Sequence, residues 1–205
     1  VTRSRVLVVR HGQSEGNVAR VWTSSRVGYP LTDLGREQAR SVGRSLAGTD
    51  VAAVYGSPLP RARETAELIA AALGLQAAVL DGVEELHVGQ HEGQHDDEVG
   101  PVAAEVFGRW WRDGDLSDGF PGGETGEQIA ARVRHALDQV ADRHAGGTAV
   151  VVSHGGAMAV GITSLADNLD PAFVSQHILA NAEIVDLERS GAAWRCRTWA
   201  GISLD

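Results

Sequence analysis

Apolar positions along this chain fall into short runs separated by longer stretches of helical spacing. Residues Arg5 to Val9 read RVLVV, and Val51 to Tyr55 and Thr148 to Ser153 (TAVVVS) are of the same kind. Such short, Val-rich runs predict buried strands. Between them, Pro30-Leu31-Thr32-Asp33 opens a predicted helix to about Ala47, with Thr32 as N-cap and Gly48 as stop. A second helix follows Pro58 and Pro60 and runs to about Leu73. Its Ala62, Ala66, Ile69 and Leu73 share one face, and Gly74 ends it. A third is predicted from about Thr125 to His144, with Ile129, Val133, Leu137 and Val140 facing inward. A fourth starts at His154-Gly155-Gly156 and reaches about Ala166. Ala77 to Leu80 reads as a further strand. Ala182 to Leu187 and Ala193 to Thr198 read as a strand pair around the Ser190-Gly191 turn. Residues 82–125 are glycine-rich and irregular. They predict loops around one or two short helices, set out as a lid or insertion.

Strands that alternate with helices predict an α/β domain, a three-layer sandwich around a largely parallel central sheet. The 205 residues suit a single domain over 1–205. In such sheets ligands bind beyond the carboxyl ends of the strands. Two apolar strands end in a histidine, at His11 and at His154. Parallel pairing therefore points both imidazoles at one edge.

Composition narrows the function. A net charge of −9 argues against nucleic acid and anionic membranes as partners, while leaving room for a locally basic pocket. The single cysteine, Cys196, rules out an internal disulfide. No apolar run approaches the length of a membrane span. The five-residue apolar stretch behind the early arginines is too short for a secretory signal. The expectation is a cytoplasmic protein, with a homodimer left open.

Four pieces carry candidate chemistry: Arg10-His11-Gly12, the segment Ser57 to Thr65 with Arg61 at a helix start, Glu85 within Val83 to Gly93, and Ser153-His154-Gly155-Gly156. Phosphoryl transfer needs a nucleophile, fixed positive charge on the equatorial oxygens and a proton donor for the leaving oxygen. Two histidines, two arginines and one carboxylic acid fill that set. Backbone N–H groups near Gly155 and Gly156 add a further anion site. His11 must be neutral to attack. Its second ring nitrogen then keeps a proton, to be donated to a backbone carbonyl in the Gly12 turn. Glu84 and Glu85 are adjacent, so only one faces the pocket.

With these segments on the page, the chain resembles the histidine phosphatase superfamily, in its phosphoglycerate mutase-like branch. The shared segments are RHGxSxxN at Arg10 to Asn17, PLTDLGxxQA at Pro30 to Ala39, SPLxRAxxT, E-x3-G-x2-EG from Glu85, and SHGG from Ser153. RHG alone is a weak signal; five ordered segments covering nearly the whole chain are a strong one. The resemblance implies a phosphoglycerate mutase-like fold and a metal-independent phosphatase without a cofactor. It makes His11 the nucleophile that becomes phosphohistidine, and Glu85 the general acid. Arg10, Arg61, His154 and Gly155 would hold the phosphoryl group of a small phosphorylated substrate, and Gln13, Ser14 and Asn17 would line the pocket mouth. Arg63 is read as a surface ion-pair partner and Glu124 as an acid at a helix start. Trp110 and Trp111 are read as core, with pocket wall as the alternative.

Competing signals are weaker. Gly12-Gln13-Ser14-Glu15-Gly16 fits the G-x-S-x-G elbow of serine hydrolases, but too few strands precede it. His87, His91 and His95 are spaced as metal ligands on a helix, yet Gly89 and Gly93 disfavour a helix there. There is no nucleotide-binding G-x4-G-K-[ST] loop, and Cys196 lacks the downstream arginine of a cysteine phosphatase. The alternatives to a phosphatase are a phosphoglycerate mutase and a non-catalytic binder of phosphorylated ligands. Against the mutase stand the short chain, Gly155-Gly156-Ala157 after the second histidine, and no evident arginine pair near Trp110-Trp111-Arg112. The segment before PLT lacks an acidic residue, and His91-Glu92-Gly93 stands where Trp-Glu-Gly is usual.

Overall fold

The computed structural model describes residues 3–204. The apolar runs become strands because both of their faces are covered. In β1 (Arg3–Arg10), Val6 and Val8 enter one core cluster while Leu7 and Val9 enter another. In β4 (Thr148–Ser153), Ala149 and Val151 join the first cluster, and Val150 and Val152 the second. A strand buried on both sides is apolar at successive positions, which is why neither run alternates.

The other strands are β2 (Val51–Gly56), β3 (Ala77–Val79), β5 (Ile184–Ser190), β6 (Ala193–Trp199) and β7 (Ile202–Ser203). The sheet order is β3-β2-β4-β1-β5-β6-β7. Strands β3, β2, β4 and β1 pair in parallel, and β5, β6 and β7 extend the sheet by antiparallel pairing. Helices α2 (Asp33–Ser45) and α3 (Pro60–Ala72) pack together over Leu7 and Val9. On the opposite face lie α4 (Asp96–Gly108), α5 (Gly126–Arg143) and α6 (Gly155–Thr163). The result is the expected three-layer α/β sandwich. The inward face of α5 holds Ile129, Val133, Leu137 and Val140 as its periodicity predicts. Thr125 caps it, accepting from the Gln128 N–H at 3.2 Å while the Gln128 side chain accepts from the Thr125 N–H at 3.0 Å.

Register positions the chemistry. Arg10 lies opposite Ser153, and Gly56 lies opposite Val152. The next residues, His11, His154 and Ser57, therefore emerge side by side at the carboxyl edge. The His11 N–H still reaches the Ser153 carbonyl at 3.0 Å, and the Ser57 N–H reaches that of Val152 at 3.0 Å.

Several local expectations change. Two short helices, α1 (Glu15–Ala19) and α7 (Pro171–Gln176), were not expected from periodicity, being too short to show it. The stretch 82–125 contains one full helix, α4, of 13 residues. Pro101, Gly100 and Gly108 hide it in the sequence, while Asp96, Asp97 and Glu98 in its first turn suit the positive end of the helix. Helix α6 stops at Thr163, short of Ala166. Among the described residues, no helix is long and apolar enough to cross a membrane.

Candidate active site

Glycine contacts tie the first segment to the second. A Cβ on Gly12 would lie 2.4 Å from the Gly35 carbonyl oxygen, and one on Gly35 would lie 2.0 Å from that of Gln13. The turn after β1 and the start of α2 thus meet backbone to backbone, which only glycine permits. The Gly12 N–H donates to Thr65 Oγ1 of α3 at 3.1 Å. Ser14 caps α1, and Asn17 Oδ1 accepts from the Ser14 N–H at 3.0 Å. Asn181 Nδ2 donates both to Asn17 Oδ1 (3.2 Å) and to the His11 carbonyl (3.0 Å).

The His11 ring is buried. Its Nδ1 lies 2.7 Å from the Gly12 carbonyl, and a carbonyl can only accept, so Nδ1 carries the proton. Nε2 then holds the lone pair and accepts from Arg61 Nε at 3.0 Å. Burial, reinforced by the Arg61 charge, holds the His11 imidazole well below the usual histidine pKa. His154 sits with its ring centroid 5.0 Å from that of His11. Its Nε2 lies 2.9 Å from Ser57 Oγ, and its buried Nδ1 has no partner among the described residues. Burial first, then Arg61 and His11, also push its pKa well down.

Arg10 and Arg61 supply fixed charge. Burial lowers the pKa of both, and Glu85 is the largest influence opposing that. An Arg10 Nη1–H bonds the Leu179 carbonyl, while Arg10 Nε is buried without a partner. Arg61 Nη2 donates to the Thr23 carbonyl at 3.0 Å, and its Nη1 has none. Unpaired buried donors cost about 1–3 kcal/mol each. Here they belong to the two arginines whose charges bear on His11, a pair of cations suited to an anion at that ring.

Glu85, not Glu84, lines the cavity. Its Oε1 accepts the N–H groups of Ala157 (2.9 Å) and Leu86 (3.0 Å), leaving Oε2 only a long contact of 3.4 Å to Gly156. Glu84 turns to the Gly82 N–H at 2.6 Å and toward Arg26 at 3.6 Å. The Glu85 backbone is pinned by Arg132 of α5, which donates to the carbonyls of Gly82 (3.0 Å), Glu84 (2.8 Å) and Glu85 (3.3 Å). Arg132 is itself forked onto Glu124, with Nε 2.7 Å from Oε1 and Nη2 2.9 Å from Oε2. Glu124, just before α5, is therefore structural as expected, and its role is to anchor this arginine. Nothing in the sequence singles out Arg132, one of three arginines on this helix with Arg134 and Arg143.

The sequence candidates divide as follows. Arg10, His11, Ser14, Asn17, Arg61, Glu85 and Gly155 line one cavity of about 420 Å³, with His154 fully buried beside it. Gln13 does not line it; its Oε1 accepts from the Thr32 hydroxyl at 2.9 Å, and its N–H donates to Gln38. Ser14 spends its hydroxyl on Asn17 in the cap of α1 (3.1 Å). The N–H groups expected to bind anion at the start of α6 are partly spent, because Gly156 and Ala157 donate to Glu85. Gly155 makes room instead: a Cβ there would stand 3.2 Å from Arg10 Nε. The two readings of the tryptophan pair divide between them: Trp110 is core, and Trp111, packed against that core, also belongs to the cavity wall. Arg63 pairs with Glu67 at 3.6 Å on the exposed side of α3. His87, His91 and His95 form no helical stripe; only Gly89–His91 makes a 3-10 turn, and no group of three or more potential ligands gathers for a metal among the described residues.

Residues 6–201 match the family model described as Histidine phosphatase superfamily (branch 1). The chain is 31% identical over 209 residues to phosphoglycerate mutase-like protein 4 of Arabidopsis thaliana, covering 99% of this chain and 87% of that one. Among solved structures, a mycobacterial glucosyl-3-phosphoglycerate phosphatase superposes with a TM-score of 0.79 at 26% identity, covering 97% of this chain and 99% of that one. A protein named mycobacterial hydrolase 1 gives a TM-score of 0.81 at 26% identity, covering 98% and 99%. With both histidines at one sheet edge and a match running almost from end to end, the chain belongs to branch 1 of the histidine phosphatase superfamily and is an enzyme of the phosphatase kind.

Proposed function

We propose that the protein hydrolyses the phosphomonoester of a small metabolite through a phosphohistidine on His11. The observation that carries this reading is the His11 ring, with Nδ1–H fixed on the Gly12 carbonyl, the Nε2 lone pair on the buried Arg61 and the half-buried Arg10 adding its charge nearby. A neutral, oriented imidazole next to fixed positive charge is what attack on phosphorus needs. In the resting site Arg61 Nε–H donates to that lone pair. An incoming phosphoryl oxygen takes over the donor and frees Nε2.

Two steps follow. His11 Nε2 forms the N–P bond as the ester P–O bond breaks, and Glu85 gives its proton to the departing alkoxide. Oε2, the less engaged oxygen, is the one suited to carry that proton. Water then attacks the phosphohistidine, losing its proton to Glu85, and the N–P bond breaks to return His11 and inorganic phosphate. Arg10, Arg61 and the N–H of His154 Nδ1 hold the equatorial oxygens throughout. A resident metal has no part in this scheme.

The test is transfer of label. His11→Ala should lose essentially all turnover, and brief reaction of the wild type with a phosphorus-labelled ester should leave acid-labile label on His11. Full activity in the variant, or label on another side chain, refutes the proposal.

A further inference from the structure

We infer that the ester this site takes carries a bulky, uncharged, aromatic or apolar leaving group, rather than a carboxylate or a second phosphate. The inference rests on the hydrolase reading above and deepens it. The cavity has two unlike ends. Around His11 stand Arg10 and Arg61. Away from the nucleophile the wall is aromatic, made by Trp22, Phe107 and Trp111 with Val174 and Ile178. Phe107 and Trp111 stack with centroids 4.7 Å apart and planes at 16°, and Trp22 lies 6.1 Å from Phe107 at 29°. These rings cover one another's inner faces, and what they leave to the cavity is an apolar, aromatic wall against which a ring can pack.

A local backbone device puts Trp111 there. The residues after α4, Arg109–Asp113, form a π-helical turn. Turns of this kind are rare and concentrate at functional sites. This one sends two successive tryptophans to different places. Trp110 is buried in the core with its Nε1–H on the Asp118 carbonyl at 2.9 Å, and Trp111 is delivered to the cavity. The Trp111 indole N–H is buried without an acceptor among the described residues, a donor that an ether or carbonyl oxygen on the leaving group would satisfy.

Charge at the far end points the same way. The remaining arginine of the lining is Arg20, an exposed side chain that pairs with two carboxylates: Nε lies 3.3 Å from Asp96 Oδ2 and Nη2 lies 3.5 Å from Asp97 Oδ1. Asp96 lines the cavity and also accepts the Trp22 indole N–H. An anionic leaving group would therefore meet the Asp96 carboxylate, and an arginine whose charge two aspartates already balance, rather than a cation dedicated to it. The cavity volume of about 420 Å³ is within the roughly 300–1,000 Å³ range of small-molecule sites and accommodates a ring beyond the phosphoryl group.

Four alkyl monoesters test this with similar leaving-group chemistry: phenethyl phosphate, glycerol 3-phosphate, O-phosphoserine and 3-phosphoglycerate. Phenethyl phosphate should exceed the other three in kcat/KM by about 10- to 100-fold, the worth of burying one ring. Trp111→Ala and Phe107→Ala, shown by circular dichroism to be folded, should each cut that preference by about tenfold. A wild type that handles O-phosphoserine or 3-phosphoglycerate as well as phenethyl phosphate overturns the inference while leaving the hydrolase reading intact. So does a preference unchanged in both folded variants. Release of phosphate from none of the four, with no label on His11, removes the hydrolase reading and this inference with it.

Discussion

Lowering the pH from about 7 to about 5.5 is expected to destabilise this fold by up to about 2.5 kcal/mol, through two side chains. His11 and His154 are buried beside Arg61, and burial is the leading reason that both are held well below the ordinary histidine pKa. In the unfolded chain the same rings return to about 6.5. The sign follows from proton counting. Below about pH 6.5 the unfolded chain binds protons that the folded one refuses, so stability is fully present above that pH and falls as the pH drops. The unfolded-state pKa sets the ceiling: a ring that stays neutral in the fold contributes at most about 1.3 kcal/mol of the loss, and unfolding then takes up at most about two protons. Urea unfolding, followed by the fluorescence of the five tryptophans, measures the free energy at each pH. His11→Asn should remove about half of the pH dependence. An unfolding free energy flat over this interval, or a slope that the variant leaves untouched, would refute the reasoning and with it the neutral nucleophile.

Three further predictions follow from the same geometry. Arg61→Ala should lower kcat/KM by about 3 kcal/mol of transition-state stabilisation, near a hundredfold; a loss under tenfold in steady-state assays contradicts its place on the phosphoryl oxygens. Glu85→Gln should slow alkyl phosphates far more than nitrophenyl phosphate, whose leaving group needs little protonation, and equal loss on both would remove Glu85 as the acid. Gly35→Ala pushes a methyl to within 2.0 Å of the Gln13 carbonyl, so it should lower thermal stability by several kcal/mol and impair activity together; an unchanged melting temperature would show that the two backbones need no such approach.

Sequence alone determined the frame. The unbroken apolar runs at Arg5–Val9 and Thr148–Ser153 announced strands covered on both faces, and a histidine directly after each marked the working edge of the sheet. Such features are local: burial on two faces and helical periodicity are written into adjacent residues. What tertiary structure decided is longer in range. The pairing of Arg10 with Ser153 set His11 and His154 side by side, and no short stretch encodes a register. Arg132, held by Glu124, grips the backbone that aims Glu85 at the cavity and turns Glu84 away; two adjacent glutamates are equivalent until that grip exists. Gln13 left the pocket because the start of α2 offered Thr32 and Gln38 as partners. Trp110 and Trp111 parted company through a π turn that no hydrophobic period reports. Each of these outcomes depends on a partner far away in the chain, and a side chain's direction is fixed only when that partner arrives.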